Sequence, residues 1–525
     1  MKYVRHLIVS REILLNMWRM GMDNKIKSKL SFYGIISAIA FIYLILTNNP
    51  SVSFPIFFVI QFAVLFFIAK NNEDVINVKG LLLMIPIFII SLKNFISAND
   101  MFIPINLIAI TFLYSVMFLL LGNELNLLKL NISGIFKTIV NIFEPFINFI
   151  VPFKWITERT KNTEKNILVK RIILGVAISI PSVVFLVMML SQADLVFYNN
   201  FIIFNDWIKR LFDFINIFKI IIGAFAGLYL FGHLYSVFIK EDNGMKMIIN
   251  KTNDANKIKG DVIVFNILLM SILTVYSIFI VIQFKYLFSG GTLPNGLNYS
   301  EYARRGFFEL VFLSVLNIAL ILLTTYLLKD KIYEDKNKWA LFTKLMLVYL
   351  CVITGILLIS SYYRMSLYDS AYGFTRLRVL VYIFLIFEAI GLIVTLIYIV
   401  RHNFNILIVY AAIGLAFYLT LNLVKTDEII AKRNIDMYLS GRAEEVDIDY
   451  LFSLSPDALP QIMRLTDSNV QYVTRIKTIN HLKEMSVYYA QMENNWQSYN
   501  LSIERNKSLL EERNPAHWEQ NNGKN

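Results

Sequence analysis

The sequence contains little charge and a single cysteine. Only 17% of the 525 residues are charged, compared with about 25% in soluble domains, and 57% are hydrophobic. A soluble fold does not bury so large an apolar fraction. Cys351 lies inside an apolar segment, so an internal disulfide and a thiolate metal cage are both excluded.

Sequence signatures of common catalytic sites are also missing. The chain has no Walker loop, no glycine-rich dinucleotide fingerprint, and no HExxH or GxSxG motif. Phosphates need a nest of backbone amides and metals need convergent donors. We therefore expect no cofactor and no metal site, and an enzymatic function is not favoured.

What the sequence does contain is a series of long apolar segments. A helix needs about 20 apolar residues to cross a bilayer. Eleven segments are predicted to span, near residues 31–47, 53–69, 80–97, 102–122, 168–191, 214–239, 262–285, 306–328, 341–362, 378–400 and 405–424. The predicted fold is all-α, a polytopic transmembrane helix bundle over residues 31–424.

The distribution of lysine and arginine predicts the orientation of this bundle. With the N-terminus inside, the inner segments hold 27 Lys and Arg and the outer loops hold 7, as the positive-inside rule requires. An odd number of spans then places the C-terminus outside. The net charge of +12 therefore reflects topology, so the bilayer is the expected partner and nucleic acid is not.

Three segments are expected to lie outside the spans. Residues 1–30 carry seven Lys and Arg and predict either a basic amphipathic helix on the inner leaflet or a solvated start of the first span. Residues 425–513, where charges alternate, predict a small helical extracytoplasmic domain. Residues 514–525 predict a disordered tail.

Residues 131–153 are long enough to span but carry a polar stripe and Pro145. The stripe consists of Lys137, Asn141, Glu144 and Asn148, which recur at helical spacing. Such a stripe on one face and a proline bend are typical of a helix that does not cross. We predict an interfacial or re-entrant helix here, because an additional span would disturb the charge bias.

Two outer-loop stretches share one order of residue types: tyrosine, acid, tyrosine, two arginines, then a helix. Their tyrosines, acids and arginines are Tyr299, Glu301, Tyr302, Arg304, Arg305 and Glu309 in the first, and Tyr368, Asp369, Tyr372, Arg376 and Arg378 in the second. Arginine pairs with carboxylates or holds an anion bidentately. The stretches predict either an internal ion-pair network or a site for an anion or lipid headgroup. A lipid-modifying enzyme would also use Asp194.

Glu388 is an acid deep within an apolar span. It lies twelve residues from Arg376, which is about 18 Å along a helix. An ionised carboxylate near the midplane costs roughly 2.5–3.5 kcal/mol, so the group is expected to be protonated or to face polar partners. Its candidate neighbours are Gln283, Asn266, Asn317 and Tyr349. Glu388 is either a proton or cation site or a neutral structural acid, whereas Lys93 is expected to snorkel to the surface.

Five motifs resemble those of a known family. They are SQADLVF at 191–197, NYSEYARRGFFEL at 298–310, YDSAYGFTRLRV at 368–379, DEIIAKRNID at 427–436 and DYLFSLSPDALP at 449–460. They resemble an uncharacterised bacterial multi-pass membrane family, domain of unknown function 4173, which is related to domain of unknown function 4153. The resemblance covers roughly residues 165–465 and implies a bacterial plasma-membrane location and no established activity.

The favoured functional hypothesis is a non-enzymatic envelope sensor, scaffold or accessory protein. It would engage an envelope protein or an anionic lipid headgroup at its outer face, which fits the missing catalytic motifs and the predicted outer domain. One alternative is a proton- or ion-coupled transporter or channel that uses Glu388. The other alternative is the lipid-modifying enzyme.

Overall fold

A computed structural model describes residues 24–46, 49–73, 75–127, 130–159, 214–238, 261–283, 307–333, 338–492 and 495–512, together with Ser179. Several predictions lie outside these residues: most of the basic N-terminal segment, the span near 168–191, the part of the first arginine stretch before residue 307, and the 514–525 tail. Within the described residues, all regular structure is helical.

The described α-helices are numbered here in chain order. They are α1 (Asn24–Leu44), α2 (Ser53–Lys70), α3 (Met84–Ile96), α4 (Ile103–Leu121), α5 (Ile132–Ile147), α6 (Val151–Arg159), α7 (Phe214–Phe238), α8 (Val262–Gln283), α9 (Phe307–Leu327), α10 (Lys329–Tyr333), α11 (Lys338–Tyr372), α12 (Arg376–Arg401), α13 (Ile406–Leu423), α14 (Thr426–Leu439), α15 (Ile448–Ser453), α16 (Leu459–Ile462), α17 (Tyr472–Ala490) and α18 (Leu501–Glu512). The first helix includes Lys25, Lys27 and Lys29, which the sequence assigned to the segment before the first span.

Eleven helical segments of the described chain are long and apolar enough to cross a membrane. They are Asn24–Leu44, Ser53–Lys70, Val78–Ile96, Asp100–Leu121, Ser133–Trp155, Phe218–Phe238, Val262–Ile282, Phe307–Leu327, Lys338–Asp369, Arg376–Arg401 and Ile406–Leu423. The predicted all-α polytopic bundle is therefore confirmed. The set differs from the sequence prediction because it includes Ser133–Trp155, while the 168–191 segment lies outside the described residues.

Exposed apolar side chains show which solvent the helices face. On α8, Val264, Ile267, Val275 and Val281 are each more than half exposed. Apolar faces this long are rare on soluble monomers, whereas in a bilayer they face acyl chains. The exposure pattern thus agrees with the length and composition of the spans.

Contacts divide the chain into two compact units. Unit 1 comprises residues 1–84, 111–124 and 138–241, and unit 2 comprises residues 85–110, 125–137 and 242–525. In unit 1, α1 and α7 pack antiparallel and very closely. A Cβ atom at Gly227 would lie 2.5 Å from the carbonyl oxygen of Gly34, so only glycine allows this approach.

In unit 1, the polar stripe of α5 and the turn after it faces other helices. Asn141 Nδ2 donates to the backbone oxygen and to Oγ of Ser115, both at 3.1 Å. Asn148 Nδ2 donates to the carbonyl of Gly232 at 3.2 Å. The apolar face, which includes Phe143, is exposed. The stripe therefore makes helix contacts that periodicity alone did not predict.

The membrane part of unit 2 is built around α8, α9, α11 and α12, which share one apolar core. Two polar contacts, one buried and one half-buried, cross this core. Tyr276 OH donates to Asn317 Oδ1 at 2.9 Å, and Asn317 Nδ2 donates to Thr354 Oγ1 at 3.1 Å. Each such interhelical bond contributes about 0.6 kcal/mol on average in a bilayer, so the contacts fix helix register more than they add stability.

Residues 426–512, called the C-terminal segment below, form helices with two cores, one of which includes Val379 of α12. Ile430, Ile435 and Leu465 are fully buried in one core, and Leu482 is fully buried in the other. Asp447 caps α15 by accepting a hydrogen bond from Tyr450 N at 2.9 Å, the role preferred for aspartate before a helix.

Candidate functional site

Arg376, the first residue of α12, forms a two-point ion pair with Asp427, in the first turn of α14. Arg376 Nε donates to Oδ1 and Nη2 donates to Oδ2, both at 2.8 Å. Asp427 also accepts from Ser455 N at 2.8 Å and from Asn99 Nδ2 at 3.2 Å. The carboxylate is fully buried, and these four bonds occupy both of its oxygens.

These partners set the charge state of Asp427. Burial raises the pKa of this carboxyl, but the hydrogen bonds from Arg376 and Ser455 outweigh burial and hold the pKa below its ordinary value. Hydrogen bonds to a carboxylate favour its charged form. Asp427 is therefore an anion at neutral pH, and its ion-pair partner is Arg376 of the bundle.

A second buried contact lies at the end of α3. Lys93 Nζ donates to Ser97 Oγ at 2.6 Å, Ser97 Oγ donates to Asp457 Oδ2, and Ala98 N donates to Asp457 Oδ1 at 3.1 Å. Lys93 is only 3% exposed. The prediction that Lys93 snorkels is therefore wrong, because an acid 360 residues beyond Ser97 supplies the charge partner.

Together Lys93, Ser97, Arg376, Asp427 and Asp457 form what we call the junction. It joins the turn between α3 and α4, the start of α12 and the C-terminal segment, all within unit 2. A lysine and a serine at hydrogen-bonding distance also occur in nucleophilic sites. Here the serine is buried and its single hydrogen points to Asp457. The junction is built to hold segments together.

Arg378 makes a separate set of contacts near the end of α11. Its Nε lies 3.5 Å from Asp369 Oδ1, Nη1 donates to the carbonyl of Gly373, and its guanidinium carbon lies 4.0 Å from the ring centroid of Tyr368. Gly373 has a φ of +72°, a conformation that favours glycine. These contacts fix the turn between α11 and α12.

The C-terminal segment holds the same turn from the other side. Asn434 Oδ1 accepts from Phe374 N at 2.6 Å, and Asn434 Nδ2 donates to Phe374 O at 2.9 Å. Asn500 Nδ2 likewise donates to the carbonyl of Asn94 at 2.8 Å and to that of Ser97 at 3.1 Å. Two asparagines of the C-terminal segment thus bind the turns at both α3 and α12.

The two arginines of the second stretch, Arg376 and Arg378, therefore pair with carboxylates of this chain. Arg376 pairs with Asp427 and Arg378 pairs with Asp369, so they do not share one anion. Tyr372 and Glu309 are exposed. The remaining predicted members, Tyr299, Glu301, Tyr302, Arg304 and Arg305, lie outside the described residues. Asp427 and Asp457 were missed as partners, although both fall inside the quoted motifs.

Glu388 bonds to a neighbour that the sequence did not single out. Ser314 Oγ of α9 lies 2.5 Å from Glu388 Oε1 and also 2.7 Å from the carbonyl of Val311. A hydroxyl has only one hydrogen. If that hydrogen goes to Val311, the short contact requires a hydrogen on Glu388. The geometry thus accommodates a protonated acid.

The neighbours expected for Glu388 have other partners. Asn266 accepts from Thr343, Asn317 contacts Tyr276 and Thr354, and Tyr349 contacts Ser277. The side chain of Gln283 lies outside the described residues. Among the described residues, no group of three or more His, Cys, Asp or Glu is placed to hold a metal ion.

These contacts define the class of protein. It is a helical polytopic membrane protein whose C-terminal segment is attached to the bundle by buried polar contacts. A family model described as Domain of unknown function (DUF4153) matches residues 81–465, and the chain belongs to that family. The matched range contains all five residues of the junction. No curated protein matches the chain, and no solved structure matches it.

Proposed function

We propose that the protein is a non-enzymatic scaffold, sensor or accessory protein of a bacterial plasma membrane. Its C-terminal segment would lie outside and engage an envelope protein or an anionic lipid headgroup. The observation that carries this proposal is the ion pair between Arg376 and the buried Asp427. Closer membership of domain of unknown function 4173 remains a prediction.

The pair supports the proposal because it couples the C-terminal segment to a spanning helix. A binding event on the segment reaches Asp427 through α14 and then acts on the first residue of α12. Networks of hydrogen bonds and packed side chains carry coupling between two sites, and four hydrogen bonds to the buried Asp427 carboxylate form such a network. Arg376 and Arg378 are both paired with carboxylates and Asp369 is buried, which does not favour the lipid-modifying enzyme.

Helix α17 offers a surface for the partner. Val473, Val487 and Tyr488 are all more than half exposed. Val473 lies at the start of α17, and Val487 and Tyr488 lie together near its end. Exposed apolar and aromatic groups are typical of interface centres. The C-terminal segment therefore combines exposed apolar side chains at the end of α17 with attachment to the bundle through Asp427.

Site-specific photo-crosslinking in cells tests this proposal. A photoreactive residue at Val487 or Tyr488 should give a discrete crosslinked species, and the same residue at the exposed Glu445 should give none. Absence of any crosslink to protein or lipid from the α17 positions would contradict the proposal.

The second candidate is a proton- or ion-coupled transporter. The contact between Ser314 and Glu388 favours it, because a buried ionisable group on facing helices is the usual carrier in such proteins. Purified protein in vesicles should then dissipate an imposed pH gradient. Vesicles that hold the gradient as well as protein-free vesicles would contradict this candidate.

A further inference from the structure

Unit 1 contains a groove between α1, α6 and α7. Its volume is about 950 Å³, and its walls include Lys27, Ser31, Trp155 and Leu228. This groove is separate from the junction, which belongs to unit 2.

The groove is polar at one end and apolar at the other. Lys27, Ser28 and Ser31, from the first two turns of α1, line one end, and Ile35 and Leu228 line the part further along. The ammonium of Lys27 lies 5.6 Å from the ring centroid of Trp155. This change from polar to apolar lining matches an amphiphile. A free anion would leave the apolar half unfilled, and a hydrocarbon would leave the polar half without a partner.

The polar end lies level with the end of α4 and thus near the membrane surface. Because α1 and α7 are antiparallel, the start of α1 lies beside the end of α7. A Cβ at Gly122, just after α4, would lie 3.8 Å from Val237 Cα, so α4 ends at the same level. Lysine and tryptophan are the side chains that mark this depth.

Residues 141–155, in α5 and α6, begin and end near this depth in unit 1. Asn141 contacts Ser115, which lies six residues, or about 9 Å, before the end of α4. Further along, a Cβ at Gly232 would touch Pro145, and Gly232 lies six residues before the end of α7. Trp155 then contacts Phe231 and Tyr235.

Between Asn141 and Trp155 the chain therefore goes inward as far as Phe225, whose ring centroid lies 5.0 Å from that of Phe149, and returns to the level of Phe231 and Tyr235. A helix perpendicular to the membrane would instead have advanced about 21 Å in depth over these fourteen residues. This supports the interfacial or re-entrant prediction for residues 131–153. It also places Trp155 and the polar end of the groove at headgroup depth.

From these observations we propose that the groove binds one anionic phospholipid. The phosphate would contact Lys27 and the hydroxyls of Ser28 and Ser31, and an acyl chain would run along Ile35 and Leu228. The charge favours an anionic lipid, since α1 carries Lys25, Lys27 and Lys29 and no acid. Basic residues at this depth attract anionic headgroups.

Native mass spectrometry of the full-length protein tests this site. Phosphatidylglycerol should give a one-lipid adduct at a concentration where phosphatidylcholine does not. Lys27→Gln, which removes the phosphate contact, and Leu228→Trp, which fills the apolar half, should each lower its occupancy at least threefold. Lys25→Gln is the matched control, because Lys25 is on the same helix but does not line the groove, and it should bind as the wild type does.

Two results would overturn the proposal. If Lys27→Gln and Leu228→Trp both bind the lipid as the wild type does, the lipid does not bind in the groove, and another part of the chain or a second copy covers it. Displacement of the lipid by an equal concentration of glycerol phosphate would identify the ligand as a free anion. If Leu228→Trp lowers the melting temperature, lipid occupancy in Lys27→Gln is compared with that in Lys25→Gln. Equal occupancy in these two variants then contradicts the site.

Discussion

Arg376 and Asp427 meet through two parallel hydrogen bonds of equal length, 2.8 Å each, although 51 residues separate them in sequence. One is the first residue of a spanning helix and the other lies in the first turn of the C-terminal segment. Loss of one partner from a buried pair leaves an uncompensated charge, which is more destabilising than loss of the attraction itself. This asymmetry underlies the first three predictions.

Arg376→Ala should lower the free energy of unfolding by about 3 kcal/mol. This is the low end for a buried pair, because the Arg376 side chain is 36% exposed. Denaturant unfolding of the purified protein, with limited proteolysis of the C-terminal segment, measures the effect. Lys432→Ala, at an exposed position of α14, should change neither. Equal stability of the two variants would show that the pair does not hold the segment.

The pair also predicts how stability depends on pH. The pKa of Asp427 is lower in the folded protein than its ordinary value, so its contribution is fully present above about pH 4–5 and is lost as pH falls through the folded pKa. The melting temperature of Asp427→Asn should therefore fall less steeply below about pH 4 than that of the wild type. Parallel curves for the two proteins would contradict this assignment.

A double-mutant cycle tests the contact that Lys93 and Asp457 make through Ser97 in the junction. Lys93→Met leaves the buried Asp457 without its cation, and Asp457→Asn leaves Lys93 without its anion. The double variant removes both charges, so its loss of stability should be smaller than the sum of the single losses by about 1–3 kcal/mol. Additive losses would mean that Lys93 and Asp457 do not interact through Ser97.

The sequence predicted the helices and missed their partners, for physical reasons. Apolar segments such as 53–69 are long enough to read from composition alone, and the structure has α2 at Ser53–Lys70. The partners of Arg376 and Ser97 are far away in sequence, so no spacing rule connects them. Ser314 was missed because a serine within an apolar helix usually bonds its own backbone.

The predicted orientation can be tested at loops that the structure describes. In unit 2, Asn405 Nδ2 donates to the carbonyl of Leu130 at 2.8 Å, so the loops before α5 and before α13 lie on one side. The charge bias predicts that side to be the cytoplasm and the C-terminus to lie opposite. Reporters fused at Asn525 and inserted after Asn403 should give opposite signals. Cytoplasmic signals at both positions would contradict the orientation.

The last prediction separates the two roles of Glu388. If the acid carries a proton, Glu388→Gln should keep the fold and abolish dissipation of a pH gradient in vesicles, because glutamine retains shape and hydrogen bonding but does not ionise. If the acid is structural, Glu388→Gln should behave as the wild type does, and Glu388→Leu should lower the free energy of unfolding by about 0.6 kcal/mol, the average for a bond between helices in a bilayer.

Ser314→Ala is the matched control, since it removes the observed contact and keeps the carboxyl. Gradient dissipation by Ser314→Ala but not by Glu388→Gln would assign the proton to Glu388. Equal gradient dissipation and equal stability of the wild type and Glu388→Gln would remove Glu388 as the proton carrier and favour the scaffold.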